Sequence, residues 1–512
     1  MKSKLIDNYM NLNIEYDIIV FCFTLEQWNI LITEPQNSKY YELIDVSKVI
    51  DFKGEINTFE FNKCYKPNSN QKVLLFSIES DKNGVYRFNK RFHQIKSFRK
   101  NIYNLTKLCI DNKFNNVLLH IDLLNYPLHT KFVKQYVDNL CMIVRLTNYS
   151  FDKYITLNKK HKIKVFDLFI ESSLNKQELY DTFQRSKIMS KYTNYARNLI
   201  NERANICNPN YLEEKCLEIS KKYNLPIKII KGEQLLNENM NLFYSVGVGS
   251  QYLPRLIIFE FLNGDDNGVI DIALIGKGIT FDTGGYNLKP KGSIEDMYID
   301  MSGSAVVLSV LLGLIELNVK KNIVVALPIA ENMIDGKAFR PSDILTSRKG
   351  ISVEIGNTDA EGRLLIADTM TYIQDMYKIN FIIDIATLTG GIVTALGESI
   401  AGIFGNYEAN DMIKELIKAG NYKYERCWHL PILDEHIESL KGKESDINSM
   451  GNFNGAQASV ASAFLSQFIN DDIKWVHIDI AGPSSLKYID NWQYKSGTGF
   501  GVGLLLQYLI EN

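Results

Sequence analysis

Seven cysteines are scattered through 512 residues with no C-x-x-C pair. That count and spacing exclude a disulfide framework and a thiolate zinc site. Histidine is equally scarce, at seven. Only His429, His436 and His477 fall in the C-terminal half and no H-E-x-x-H is present, so a histidine-built metal site is not expected and all three read as structural or surface residues. A surplus of positive charge is missing too: 57 basic side chains stand against 59 acidic ones, a formal net charge of −2. Nucleic acid is therefore not the expected partner. The nearest basic run, Arg87–Lys100, has the apolar spacing of a solvated amphipathic helix. The most apolar stretch, Ala305–Ile315, is far shorter than the roughly 20 residues of a membrane span. The start of the chain, MKSKLIDNYMNLNIEYD, lacks the apolar core of a secretory signal. A cytoplasmic, reducing location without membrane contact is the expectation.

What is present is an α/β pattern on a chain long enough for two domains. Short β-branched or aromatic runs at Tyr16–Phe23, Trp28–Thr33, Lys72–Ser77 and Val117–Asp122 predict strands, and Arg87–Asn112 a helix. These define a smaller N-terminal α/β domain over residues 1–174. A polar segment without Pro or Gly predicts a helical connector over 175–200. From 201 to 512, apolar strand-like runs appear at Arg255–Phe261, Val269–Gly276, Asn322–Pro328, Ile351–Ile355, Phe381–Ala386 and Lys474–Ile480. Helical patterns lie between them at Ser304–Leu317, Gly362–Met376 and Val460–Ile469. Alternation of this kind predicts a larger catalytic domain with a mostly parallel central sheet, whose chemistry sits beyond the strand ends.

Two segments there concentrate the polar groups. In Asn357–Ala367 (NTDAEGRLLIA), Asp359 and Glu361 are two apart and would project to the same side of extended backbone. Alternatively, Thr358 or Asp359 caps a helix and Glu361 is its first-turn acid. Gly276–Ala305 leaves a strand at Lys277 and carries Asp282, Lys289 and Asp300 around a glycine-rich turn. It fits neither G-x-x-x-x-G-K-[ST] nor G-x-G-x-x-G, so it is not read as a phosphate loop. Taken together, Asp282, Asp300, Asp359 and Glu361 form an oxygen-donor set suited to hard or borderline divalent cations.

At these residues the chain resembles the leucyl aminopeptidase family of two-metal cytosolic peptidases. The resemblance rests on NTDAEGR at Asn357–Arg363, GKGITFD at Gly276–Asp282, Lys289 and the Asp300-Met301-x-Gly303 segment, and covers about Ala196 to the C-terminus. It implies two divalent ions per subunit, Zn or Mn before Mg or Co. Lys277, Asp282, Asp300 and Glu361 would surround the tighter ion, and Asp282, Asp359 and Glu361 the more exchangeable one. Lys277 would have to be neutral to act as a ligand, its pKa depressed by burial beside the cations. Lys289 would polarise the scissile carbonyl, and Arg363 would hold a bicarbonate serving as general base, helped by amides near Leu388. Met297, Thr387, Leu388 and Gly390 would line the first side-chain pocket, which suits Leu and other apolar N-terminal residues. Peptide substrates and a homohexamer are implied in the same way. The chain departs from the family pattern at Thr283, Ser302, Ser304 and Pro483, none of them an expected ligand. Two other functions compete: a non-catalytic DNA-binding or scaffold protein retaining this fold, and a two-metal phosphoesterase.

Overall fold

The computed structural model describes residues 1–6, 16–38, 40–41, 43–44, 59–62, 72–77, 90–124, 132–265, 268–486 and 492–512. The chain divides into two compact units, one of Met1–Lys191 with Ile489–Tyr494, the other of Tyr192–Tyr488 with Lys495–Asn512. The helix expected over 175–200 runs Lys176–Ile200. The division falls inside it, so it is shared between the units.

Among the described residues the smaller unit holds a five-stranded sheet. Its order is Phe59–Asn62, Val73–Ser77, Ile18–Phe23, Asn116–Asp122 and Val165–Glu171, parallel except for the first strand. The helix expected over Arg87–Asn112 is Lys90–Asp111, and Arg87–Asn89 lie outside the described residues. The predicted strand Trp28–Thr33 is instead part of a helix, Leu25–Thr33. Thr24 and Gln27 close a capping box at its start, and Trp28 and Leu31, three apart, bury one helical face. The late segment Ile489–Tyr494 joins this unit. The Arg99 guanidinium lies 4.4 Å above the Trp492 ring, and Phe151 N–H donates to the Tyr494 hydroxyl at 3.0 Å.

The larger unit is built on a nine-stranded sheet among the described residues. Eight of its strands run in the order Cys427–His429, Ala401–Gly405, Lys474–Asp479, Phe381–Ala386, Ile272–Gly276, Asn322–Asn332, Arg255–Leu262 and Ile227–Lys231, and the ninth, Gly278–Asp282, pairs with Asn322–Asn332 off this path. From Lys474–Asp479 to Asn322–Asn332 all pairings are parallel. These strands are buried almost throughout, as expected for a sheet covered on both faces. Ala273, Ile275, Val324, Ala326 and Ile382 share one cluster with Leu364 and Leu365 of the helix Glu361–Met376. The apolar helix Ser302–Leu317 is likewise buried in the protein core.

The chain does not turn away at Lys277 as the sequence reading supposed. It continues as a second strand, Gly278–Asp282, alongside the far end of Asn322–Asn332. Ile329 faces Gly278 and Ala330 faces Ile279, but Asn332 faces Asp282, so the shorter strand carries one extra residue. A bulge of this kind re-aims the side chains that follow it.

Helix Ser302–Leu317 starts hard against the strand ends. A Cβ on Gly303 would lie 2.2 Å from the Ile385 carbonyl oxygen and 2.6 Å from the Lys277 nitrogen. Gly303→Ala should therefore cost about 1–3 kcal/mol or more, because rigid backbone atoms must separate. At Gly336 a Cβ meets nothing within 4 Å. Thermal unfolding in chelator should show a drop of at least a few degrees for Gly303→Ala and little change for Gly336→Ala; equal values would contradict this account of the packing.

Candidate metal centre

Every parallel strand ending at this edge of the sheet delivers a polar group. Ile272–Gly276 is followed by Lys277, Gly278–Asp282 ends in Asp282, and Phe381–Ala386 is followed by Thr387. The helix starts supply the rest: Asp300 precedes Ser302–Leu317, and Glu361 opens Glu361–Met376. A carboxylate at a helix N-terminus is favoured by the helix dipole. Asp359 sits in a turn before Ala360 (φ −106°, ψ 36°) and not in extended backbone. The two acids of the signature thus converge through a turn into a helix. No side chain caps that helix, although Glu361 is its first-turn acid.

Lys277 Nζ lies 2.8 Å from Asp300 Oδ2 and 2.7 Å from Glu361 Oε1, and it donates to the Thr387 carbonyl at 3.0 Å. Lys289 Nζ lies 2.9 Å from Asp282 Oδ2 and pairs with Asp359 Oδ1. Oxygens of Asp282, Asp359 and Glu361 fall within 4.8 Å of one another. The glycine inside the signature has a steric reason. A Cβ on Gly362 would stand 2.7 Å from Lys277 Cε, so only glycine lets the lysine lie across the helix start. Thr387 closes the other side, its hydroxyl donating to Asp300 Oδ1 at 2.6 Å.

Burial sets the charge states. It raises Asp300 to about 6 and Glu361 to about 8, and repulsion from Asp282 adds to both. Asp359 is raised for the same reasons. Burial alone would lower Lys277, but Asp300, Glu361 and Asp282 outweigh it and hold the lysine above its ordinary value. The expected depression of Lys277 is therefore not a property of the protein groups themselves, because carboxylates surround it more closely than any cationic side chain. Lys289 is raised in the same manner by Asp282 and Glu361, against desolvation. Arg363 is lowered to about 10 by burial and stays charged at neutral pH, with Nη1 donating to the Ser449 carbonyl at 2.6 Å.

The donor set fits a divalent cation. Asp300 Oδ2, Asp359 Oδ1 and Glu361 Oε1 are buried oxygens without a well-formed hydrogen bond, although lysine ammoniums stand close to them. Four carboxylates face two ammoniums, and oxygen atoms left with unused lone pairs in a buried space need a further positive centre.

Of the residues expected in the substrate pocket, Thr387 is committed to Asp300 and Lys277. Leu388 packs against the main core, and its N–H donates to Asp479 Oδ1 at 3.1 Å. That amide is already engaged by a side chain. Met297 is half-buried in the short turn Ile294–Ile299 ahead of Asp300, and Gly390 is exposed at the start of Gly390–Leu396. His477 is a structural residue, fully buried with Nδ1 2.5 Å from Asp384 Oδ1.

Two contributors escaped the sequence reading. Asp479 accepts from Leu388 N–H, from the Thr389 hydroxyl at 2.7 Å and from Ala481 N–H at 3.1 Å, which fixes the turn carrying Thr387. Asn332 Nδ2 donates to Asp282 Oδ1 at 2.9 Å and to the Thr358 carbonyl at 3.0 Å. Their signal was present as polar residues closing otherwise apolar strands, NIVVALPIAEN and KWVHID.

Comparison with known proteins identifies the family. The model of the cytosol aminopeptidase family, catalytic domain, matches residues 194–506. A probable cytosol aminopeptidase of Aquifex aeolicus (strain VF5) is 38% identical over 368 residues, 72% of this chain and 72% of that protein. One from Sulfurihydrogenibium sp. (strain YO3AOP1) is 34% identical over 401 residues, 78% and 77% of the two chains. Among solved structures, the bottromycin maturation enzyme BotP in complex with Mn superposes with a TM-score of 0.79 at 22% identity, over 97% of this chain and 99% of that one; at that identity the likeness concerns the fold. The match spans the strands, turns and helix starts that gather the carboxylates, and the chain belongs to the cytosol aminopeptidase family, whose catalytic domain it carries.

Proposed function

We propose that this protein is a two-metal aminopeptidase that removes Leu and other apolar residues from the N-termini of peptides. The observation that carries the reading is the convergence of Asp282, Asp359 and Glu361 within 4.8 Å, with Lys277 and Lys289 packed against the same acids. Lys277, Asp282, Asp300 and Glu361 would hold one ion, and Asp282, Asp359 and Glu361 the other. The Asp359 side chain, which belongs only to the second position, is 32% exposed and that of Asp300, which belongs only to the first, 7%, which supports the second position as the more exchangeable. When bound, such a pair of ions supplies an acidified water and Lewis-acid polarisation of the peptide carbonyl.

The chain's own groups do the rest. Lys289, charged and held by Asp282 and Asp359, donates to the carbonyl oxygen as negative charge develops there. Arg363, buried and charged, would bind a bicarbonate as general base through its planar guanidinium. Thr387, fixed by Asp479, keeps Lys277 and Asp300 from turning away. Met297, three residues before Asp300, and Gly390, three after Thr387, would border the side-chain pocket. The Mn of the BotP complex makes that ion the first to test, with Zn, Co and Mg after it. A homohexamer acting in the cytoplasm is proposed from the family alone. A DNA-binding or phosphoesterase role has no observation in its favour.

The decisive experiment strips the protein with chelator, reloads it with each metal and follows a leucyl amide reporter beside an N-acetylated control. Activity should return with metal, vanish in Asp359→Ala and ignore the blocked reporter; turnover of the blocked reporter, or none with any metal, would sink the reading. Lys289→Ala should lower kcat by about 2–4 kcal/mol of barrier with a smaller effect on KM. Near-normal kcat in that variant would remove Lys289 from the mechanism.

Mn2+ affinity should depend on pH with a definite sign. Asp300 near 6 and Glu361 near 8 keep protons unusually high up the pH scale, and an ion must displace them. Binding should tighten from pH 6 to 8 and release protons, as seen by calorimetry in buffers of different protonation enthalpy. An affinity that is flat across that range would contradict the assignment of these acids as ligands.

A further inference from the structure

We propose that Asn332 is a positioning residue for the cation site: it leaves Asp282 a single coordinating oxygen and holds the two carboxylate-bearing segments at their working separation. The proposal rests on the metal reading above.

Asn332 closes the strand Asn322–Asn332 and is 0% exposed. The extra residue in Gly278–Asp282 is what sets it opposite Asp282. Without the bulge, the two-residue alternation of the strand would carry the carboxylate out of this register. One amide nitrogen then serves two segments. Nδ2 donates to Asp282 Oδ1 at 2.9 Å and to the Thr358 carbonyl at 3.0 Å, the latter one residue before Asp359. Both partners are acceptors, so the amide has one allowed orientation; turned over, its oxygen would face two other oxygens.

Asp282 Oδ1 also accepts Gly284 N–H at 2.9 Å. Two fixed donors thus occupy Oδ1, while Oδ2 is turned to Lys289 Nζ and the cluster. A carboxylate held in this way offers one oxygen to a cation and cannot swing to chelate it with two. The Thr358 side of the strut is equally braced, with Thr358 N–H donating to Asn287 Oδ1 at 2.9 Å and its hydroxyl to the Gly284 carbonyl at 2.7 Å.

A second observation separates this role from simple packing. Asn332 Oδ1 is buried without a hydrogen-bond partner. An unsatisfied buried acceptor is a standing cost to the fold, and an apolar side chain of similar volume would avoid it. What asparagine supplies and an apolar residue cannot is the pair of N–H donors. An aspartate would supply neither donor and would add a fifth carboxylate.

The test uses the full-length chain, stripped with chelator and titrated with Mn2+ while free ion is read by electron paramagnetic resonance. Wild type, Asn332→Ala and Asn332→Ser are compared, with thermal unfolding in chelator and kcat and KM measured in parallel. Loss of an outer partner of a metal ligand typically weakens binding about 10–100-fold. Asn332→Ala should fall in that range, with kcat reduced more than KM and unfolding in chelator moved by no more than a few degrees. Asn332→Ser, able to donate one bond, should lie between it and wild type. If Asn332→Ala does not fold, Asn332→Ser decides alone, by a clear weakening or its absence. Mn2+ affinity within twofold of wild type in a folded variant would overturn the assignment. A wild-type chain that takes up no Mn2+ would overturn the metal reading, and this assignment with it.

Discussion

Carboxylates brought together in a buried space repel one another, and much of the catalytic unit is arranged around that repulsion. Asp282, Asp300 and Glu361 are nearly removed from water, where like charges are screened least. They are tolerated because Lys277 and Lys289 stand between them and because helix starts point toward them. The close approach of Lys277 requires glycine at 362, and the close approach of the helix behind it requires glycine at 303. These glycines are consequences of the charge problem. Each widens no pocket and binds no ligand, yet each lets a cation or a backbone dipole come near enough to matter.

Much of this was legible in the sequence, for identifiable reasons. Strands buried on both faces advertise themselves as continuous apolar runs, and Phe381–Ala386 and Lys474–Asp479 were readable for that reason. Asp282, Asp300, Asp359 and Glu361 stood out as acids next to glycine turns. The geometry that unites them was harder to see. Asp359 and Glu361 meet through a turn and a helix start, an outcome that two-residue spacing could not separate from extended backbone. In the smaller unit Trp28–Thr33 had the apolar density of a strand. Thr24 and Gln27, three apart, marked a helix start whose weight composition alone did not convey.

The least legible residues were the struts. Asn332 and Asp479 lie outside the two signature segments, and their importance comes from what they hold, Asn332 bonding Asp282 and the Thr358 carbonyl. Asp479 binds a turn whose Thr387 secures a lysine and an aspartate. Behind it, Asp384 accepts Trp475 Nε1 at 2.7 Å and pairs with His477, so the polar groups of two neighbouring strands satisfy one another inside the sheet. A buried polar network that is nearly complete gives rigidity as well as stability, and a metal site held within tenths of an ångström needs rigidity.

The smaller unit includes Ile489–Tyr494, a short excursion from late in the chain, secured there by Arg99 over Trp492 and by Phe151 on Tyr494. The polypeptide therefore crosses between its units three times: within the long helix, again before Ile489 and once more after Tyr494. No single scission can release either unit whole. A fragment ending at the long helix would lack the buried Trp492 and the Tyr494 hydroxyl that accepts from Phe151. The contacts of Trp492 with Arg99 and of Tyr494 with Phe151 can therefore form only once nearly the whole chain has been synthesised.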